Sequence, residues 1–136
     1  RFRCAASIAG VSDRMLFFTA SDSGRIAKVR ELMEERIGNP HTDEAMMRET
    51  SPLFRYAEAR TPVLLVHGTA DIRVDYEHTR RLVRMLGMAG RPPALLTIED
   101  EGHALDGDGT HVKVWRTVAA FLRQHLDAPT GQAVSP

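Results

Sequence analysis

The sequence predicts an α/β fold in which parallel strands are covered by helices on both faces. Three short apolar segments, within 2–9, 63–66 and 94–98, are bounded by glycine or proline and are typical of buried strands. Between and after them lie segments whose apolar residues recur every three or four positions, as on one face of a helix. Because strands and helices alternate along the chain, we expect a parallel sheet with right-handed crossovers.

The sequence marks the three strands in different ways. The first, 2–9, is a run of small and apolar residues that Gly10 closes. The second, 63–66, is four consecutive aliphatic residues between Pro62 and His67-Gly68, which is typical of a strand covered on both faces. The third, 94–98, follows a connection that contains two prolines.

Four segments are predicted to be helical. Each ends near a glycine or proline or at the start of the final polar tail, and the predicted ranges are 25–37, 41–50, 76–86 and 112–126. The predicted domain therefore spans 1–126, and 127–136 is expected to be a disordered tail. Three strands are few for a sheet of this kind, so an apolar sheet edge is expected to lie open.

Composition excludes several classes of function. The 18 basic and 18 acidic side chains cancel, and no basic stretch is interleaved with aromatic residues, so we expect neither nucleic acid nor a membrane as partner. No apolar run is long enough for a membrane span. Cys4 is the single cysteine, so neither an intrachain disulfide nor a cysteine-based zinc site is expected. A small or peptide substrate is the expected partner.

Two loops carry the residues best suited to chemistry. Asp71 lies in the loop after the second predicted strand, and His103 lies in the loop after the third. Parallel neighbouring strands place such loops side by side, so these two side chains could come within hydrogen-bonding distance. A carboxylate there would orient the imidazole of a general base. The alternatives are that Asp71 caps a turn or helix and that His103 is a solvated loop residue.

The other histidines are predicted to have structural roles. His67 directly follows the aliphatic run, which favours a packed and hydrogen-bonded histidine at the strand end. The rest are expected at surface or helix positions, namely His41, His78, His111 and His125.

A nucleophile for this acid and base pair is missing. A hydrolase serine normally lies in a G-x-S-x-G elbow, and the sequence has no such motif. Ser7 is the best placed serine, but Ala5 and Ala9 stand where the glycines should be, so it is interpreted as a strand residue. The oxyanion hole depends on the same elbow, and the chain alone is therefore expected to be inactive.

The segment TPVLLVHGTADIRVDYEHTRRLVRML, followed by EDEGHAL, resembles the end of the catalytic domain in the prolyl oligopeptidase family of serine peptidases. CAASIAGVSD resembles the strand and loop shortly after the nucleophile helix of that family, and SPLFRYAEARTP resembles its approach to the acid-bearing strand. The resemblance extends over 2–126. It implies the C-terminal portion of an α/β-hydrolase fold, in which 1–126 belong to a peptidase catalytic domain.

The resemblance also implies roles for individual residues. Asp71 corresponds to the triad acid and His103 to the general base. Arg73 matches a position where family members with arginine bind a substrate carbonyl, although it could equally be a surface ion-pair partner. Val74 and the pair Phe17-Phe18, placed in the loop after the first strand, fall where the family builds its apolar specificity pocket. The two phenylalanines could equally be core residues. Neither a metal nor an organic cofactor is implied.

The expected function is that of a serine peptidase that cleaves short peptides through an acyl-enzyme, present here as a fragment without its nucleophile. The missing N-terminal part of the catalytic domain is then an expected partner of this chain. An esterase or another acyl hydrolase of the same fold is the nearest alternative, because the same triad serves both. A noncatalytic interaction module with a hydrolase-derived fold is the alternative from another class.

Overall fold

The computed structural model describes residues 2–127. Three strands are formed, namely β1 (Ala5–Ile8), β2 (Val63–Gly68) and β3 (Ala94–Ile98). Five α-helices accompany them, namely α1 (Arg14–Thr19), α2 (Ala27–Ile37), α3 (Glu44–Glu49), α4 (Glu77–Met88) and α5 (Thr110–Leu126). Two 3₁₀ segments lie at Ser23–Arg25 and Pro52–Glu58. The predicted α/β class is confirmed.

The strands form one parallel sheet in the order β1-β2-β3. Ala5 of β1 is paired with Val63, and Leu64 of β2 is paired with Ala94. The central strand β2 is buried from Leu64 onward, which explains its uninterrupted aliphatic sequence. The outer strands were also predicted to be buried, and this was wrong, since each pairs with a neighbour on one side only, and Ile8 and Leu95 are 39% and 43% exposed. Among the described residues both sheet edges are therefore uncovered, as three strands led us to expect.

Helices lie on both faces of the sheet, as predicted. On one face, α5 packs Val114, Val118 and Phe121 against Leu64, Val66 and Ile98. On the other face, Val63 and Leu65 share the lining of an apolar cleft with Leu82 and Leu86 of α4 and with the Pro52–Glu58 segment. Successive side chains of a strand point to opposite faces, so β2 supplies apolar side chains both to the core under α5 and to the cleft on the other face.

The long connection between β1 and β2 forms a core of its own. Phe18, Met33 and Met47, one from each of α1, α2 and α3, are buried together. The sequence predicted a loop at Phe17-Phe18, and this was wrong, since both residues belong to α1. Six residues make fewer than two turns, too few for a helical period to be visible in sequence. Asp13 stabilises this short helix by accepting hydrogen bonds from the N–H groups of Met15 and Leu16.

The other predicted elements agree with the structure to within a few residues at their ends. The second and third strands and all four predicted helices are present, and the first strand is shorter than expected. The predicted tail, 127–136, lies outside the described residues except for Asp127. Across residues 2–127 each helix is too short or too polar to cross a lipid bilayer.

Candidate active site

Asp71 lies in the loop after β2, where it is only 4% exposed. Its Oδ1 accepts hydrogen bonds from the backbone N–H groups of Arg73 and Val74, at 2.9 and 3.0 Å. Its Oδ2 lies 2.8 Å from His103 Nδ1. The loop thus wraps around its own carboxylate and leaves the second oxygen for the histidine of the neighbouring loop.

Opposing effects act on the pKa of Asp71. Burial by itself would raise that pKa, because it removes water from the charged form. Hydrogen bonds from two backbone N–H groups and from His103, together with the attraction of His103, outweigh burial and hold the pKa below its ordinary value of 3.8. At neutral pH the group is therefore a carboxylate that can only accept hydrogen bonds.

His103 lies in the loop after β3, and its side chain is 41% exposed. Because Asp71 can only accept, the hydrogen of a neutral His103 ring lies on Nδ1, and Nε2 carries the free lone pair. An imidazole in this tautomer can take a proton at Nε2 while Asp71 stabilises the resulting positive charge. The expected approach of Asp71 and His103 to hydrogen-bonding distance is confirmed.

His67 also contacts the Asp71 carboxylate. It is completely buried, and its Nε2 lies 2.8 Å from the Val74 carbonyl oxygen and 3.1 Å from Asp71 Oδ2. Both of these are acceptors, so Nε2 carries the ring hydrogen and Nδ1 accepts from the Thr79 hydroxyl at 2.6 Å. The prediction of a packed, hydrogen-bonded histidine is confirmed. The contact with Asp71 was not predicted, because nothing in the local sequence indicates which way the ring points.

The loops that carry Asp71 and His103 are joined through their backbones. The N–H of Ala70 donates to the Glu101 carbonyl oxygen at 2.9 Å. Gly68 allows this close approach, since a Cβ there would lie 2.2 Å from the same oxygen. The Glu101 side chain in turn accepts from the Thr110 hydroxyl at 2.6 Å, which attaches the His103 loop to the start of α5. The sequence analysis missed this role of Glu101.

The residues predicted to contact the substrate differ in how exposed their side chains are. Arg73 is exposed, and within residues 2–127 its guanidinium has no ion-pair partner. Val74 is 5% exposed and Phe18 is 2% exposed, so both side chains are largely enclosed by the protein. Phe17 is half-buried. Their assignment to a substrate carbonyl contact and a specificity pocket stays a prediction.

None of the described serines is hydrogen bonded to His103. Four of the described serine hydroxyls donate to other groups, namely Ser12 to the His78 carbonyl oxygen, Ser21 to that of Phe17, Ser51 to that of Met47 and Ser23 to the Asp22 carboxylate. Ser7 lies in β1, as predicted, and lines the apolar cleft. Within residues 2–127 there is also no cluster of three or more side chains that could hold a metal ion.

The parallel sheet and its helices match a portion of the α/β-hydrolase peptidases. The acylaminoacyl peptidase of Pyrococcus horikoshii superposes with a TM-score of 0.81 over 96% of this chain and 21% of that one, at 23% identity. A puromycin-hydrolyzing peptidase of Mycobacterium tuberculosis superposes with a TM-score of 0.79 over 92% of this chain and 18% of that one, at 30% identity.

The family follows from the sequence. The sequence model of the prolyl oligopeptidase family matches residues 1–129, and the chain belongs to that family. Dipeptidyl aminopeptidase BIII of Pseudoxanthomonas mexicana is 30% identical over 92% of this chain and 18% of its own length. Inactive dipeptidyl peptidase 10 of Mus musculus is 28% identical over 92% of this chain and 14% of its own. The chain thus spans less than a fifth of these two relatives.

Proposed function

We propose that this chain supplies the acid and base of a serine peptidase of the prolyl oligopeptidase family, which cleaves short peptides through an acyl-enzyme. The observation that carries the proposal is the 2.8 Å contact between Asp71 Oδ2 and His103 Nδ1, made by a buried carboxylate and a partly exposed imidazole. Because the sequence contains no G-x-S-x-G motif, the nucleophilic serine comes from residues outside these 136.

In the proposed reaction His103 moves protons at Nε2. It takes the proton of the serine hydroxyl as that oxygen attacks the peptide carbonyl, and it then gives the proton to the departing amine. Asp71 keeps the ring in the productive tautomer and stabilises the imidazolium. A water molecule, activated in the same way, releases the acyl group. Arg73 is exposed beside the acid and is proposed to bind a substrate carbonyl.

The experiment uses the longest natural chain that contains these residues and a fluorophosphonate probe, which labels an activated serine. We expect labelling that His103→Ala abolishes and that Asp71→Asn slows by roughly 10⁴-fold, the effect of leaving the base in the wrong tautomer. His41→Ala is the matched control, because His41 is exposed and its contact in the 39–42 turn is made by its backbone N–H. Unchanged labelling of the His103 variant would refute the role of base.

A substrate panel separates peptidase from esterase. Aminoacyl and dipeptidyl amides are compared with simple esters of the same acyl groups, using the chain that reacts with the probe. The proposal expects amide turnover that is lost together with probe labelling in His103→Ala. Ester turnover without any amide turnover would overturn the peptidase assignment in favour of an esterase.

A noncatalytic role is the second candidate, and the similarity to a mouse protein named as inactive favours it. Under that proposal the acid and base geometry is retained for packing alone, and the natural chain binds its partners without a reactive serine. Complete absence of probe labelling in a natural chain that is folded would support this candidate. Labelling that depends on His103 would exclude it.

A further inference from the structure

A second histidine, His78, is buried in the first turn of α4. It is 0% exposed, and its Nδ1 accepts hydrogen bonds from the backbone N–H groups of Ser12 and Asp13, both at 3.3 Å. The Ser12 hydroxyl donates to the His78 carbonyl oxygen at 2.7 Å. The sequence analysis left His78 as a surface or helix position, and the structure places it on a helix but completely buried.

These contacts determine the protonation state of the ring. Two N–H groups converge on Nδ1, so Nδ1 must carry a lone pair and the ring hydrogen must lie on Nε2. Nε2 is buried and has no hydrogen-bond partner among residues 2–127. Protonation of Nδ1 would set its new N–H against the N–H groups of Ser12 and Asp13. The observed arrangement therefore exists only with the neutral ring.

His78 holds the segment that leads from β1 into α1. Asp13, one of the two donors, caps α1 through its side chain. Beyond α1, the N–H of Asp22 donates to the carbonyl oxygen of Ile72 at 2.7 Å, and the N–H of Asp75 donates to that of Ala20 at 3.3 Å. One end of α1 is thus attached to α4 through His78, and the other end is attached to the loop that carries Asp71.

We propose that His78 is a positioning residue, which as a neutral ring holds the 10–13 loop and the start of α1 beside the candidate active site and releases them when it is protonated. The proposal rests on the proposed function in one respect, which is that α1 lines part of the binding site for a peptide substrate. Holding of the loop itself is independent of any activity.

The surroundings of His78 keep the ring neutral at ordinary pH. The pKa of His78 is lowered to about 4, chiefly by burial and to a smaller extent by the neighbouring His67 and Arg81. The carboxylates of Asp13 and Asp75 act in the opposite direction. On the side of the cleft the facing groups belong to the Pro52–Glu58 segment, namely Arg55, Tyr56 and Glu58. Release of the loop is therefore expected as the pH falls from about 6 toward about 4.

The test compares His78→Gln with His78→Leu in the longest natural chain. A glutamine oxygen can accept both N–H groups and does not titrate, whereas leucine fills similar space without an acceptor. Hydrogen exchange of the Ser12 and Asp13 amides is measured from about pH 8 to about pH 4 and corrected for the intrinsic pH dependence. His41→Gln is the control for loss of an exposed histidine.

We expect the wild-type amides to be protected at neutral pH and to lose about tenfold in protection as the pH falls, which corresponds to the loss of two ordinary hydrogen bonds. His78→Gln should stay protected throughout, and protection in His78→Leu should be about tenfold below that of the wild type at neutral pH and should not change further as the pH falls. Wild-type and His78→Gln amides that respond equally to pH would overturn the proposal. This comparison remains decisive even where the leucine variant does not fold.

The link to the substrate is tested by turnover of a peptide amide in the same chains. The KM of His78→Leu should rise about tenfold with kcat within about twofold, and His78→Gln should restore the wild-type KM. An unchanged KM in a leucine variant whose amides have lost protection would overturn the positioning role. A natural chain without any peptide turnover would refute the proposed function, while the exchange data would still decide whether His78 holds the loop.

Discussion

Gly68→Ala is the substitution whose effect on the candidate site the structure defines most closely. Gly68 is the last residue of β2, and a Cβ there would lie 2.2 Å from the Glu101 carbonyl oxygen and 3.0 Å from that of Gly102. Both neighbours are backbone atoms, so no side-chain rotation can relieve the overlap. Ordinary contact begins at 3.4 Å, and the loop must therefore move away by about 1.2 Å.

That displacement acts directly on the candidate base. Gly102 precedes His103, and the contact between His103 Nδ1 and Asp71 Oδ2 is 2.8 Å long. A shift of ~1 Å in a catalytic group costs roughly 10²-fold in rate. Forcing an extra methyl group into a packed region also costs about 1–3 kcal/mol in the free energy of unfolding.

The assay is the second-order rate constant for fluorophosphonate labelling of the longest natural chain, measured beside its midpoint of urea unfolding. Gly87→Ala is the matched control, because Gly87 lies inside α4 and a Cβ there meets nothing within 4 Å. The control should label normally and gain about 0.5–1 kcal/mol in stability. Wild-type labelling and stability in Gly68→Ala would show that this contact does not position His103.

Three further predictions concern stability in the same chain. Thr79→Val should lower the free energy of unfolding by about 1–3 kcal/mol in urea titrations, because it leaves buried His67 Nδ1 without its donor. Because the pKa of Asp71 is depressed in the folded protein, its ionisation stabilises the fold above the ordinary value of 3.8, and this stabilisation is lost as the pH falls through the depressed pKa. In Asp71→Asn, the free energy of unfolding should therefore fall less steeply as the pH is lowered through this acidic range. Phe121→Ala, at 7% exposure, should cost about 3–5 kcal/mol in the same titrations, whereas Leu126→Ala, at 47% exposure, should cost far less; equal losses would contradict the assigned core.

Local sequence was sufficient for most of the fold. The aliphatic run of β2 and the proline before it predicted a central strand, because a strand buried on both faces has no polar positions. Helices α4 and α5 were visible from their spacing, which repeats over several turns. Helix α1 was missed, because it depends on the Asp13 cap and on the burial of Phe18, which no repeat in the sequence reveals.

The sequence also predicted the main residues of the candidate site, but not all of their contacts. Asp71 and His103 were found because each follows an apolar segment predicted to be a strand, and parallel strands bring such loops together. His67 was recognised as a packed histidine, but its contact with Asp71 was not. Glu101 was overlooked, since its partner Thr110 lies beyond a loop whose path the sequence does not specify.

By itself, the sequence determined which segments are strands and helices and which two loops carry the chemistry, because these properties depend on neighbours in the chain. Only the tertiary structure decided the partners of the buried polar groups. His78 contacts Ser12 from 66 positions away, and His103 contacts Asp71 from 32 positions away. Such contacts, like the tautomers that they impose on the two rings, depend on how the helices and loops pack, and no local pattern of residue types encodes that packing.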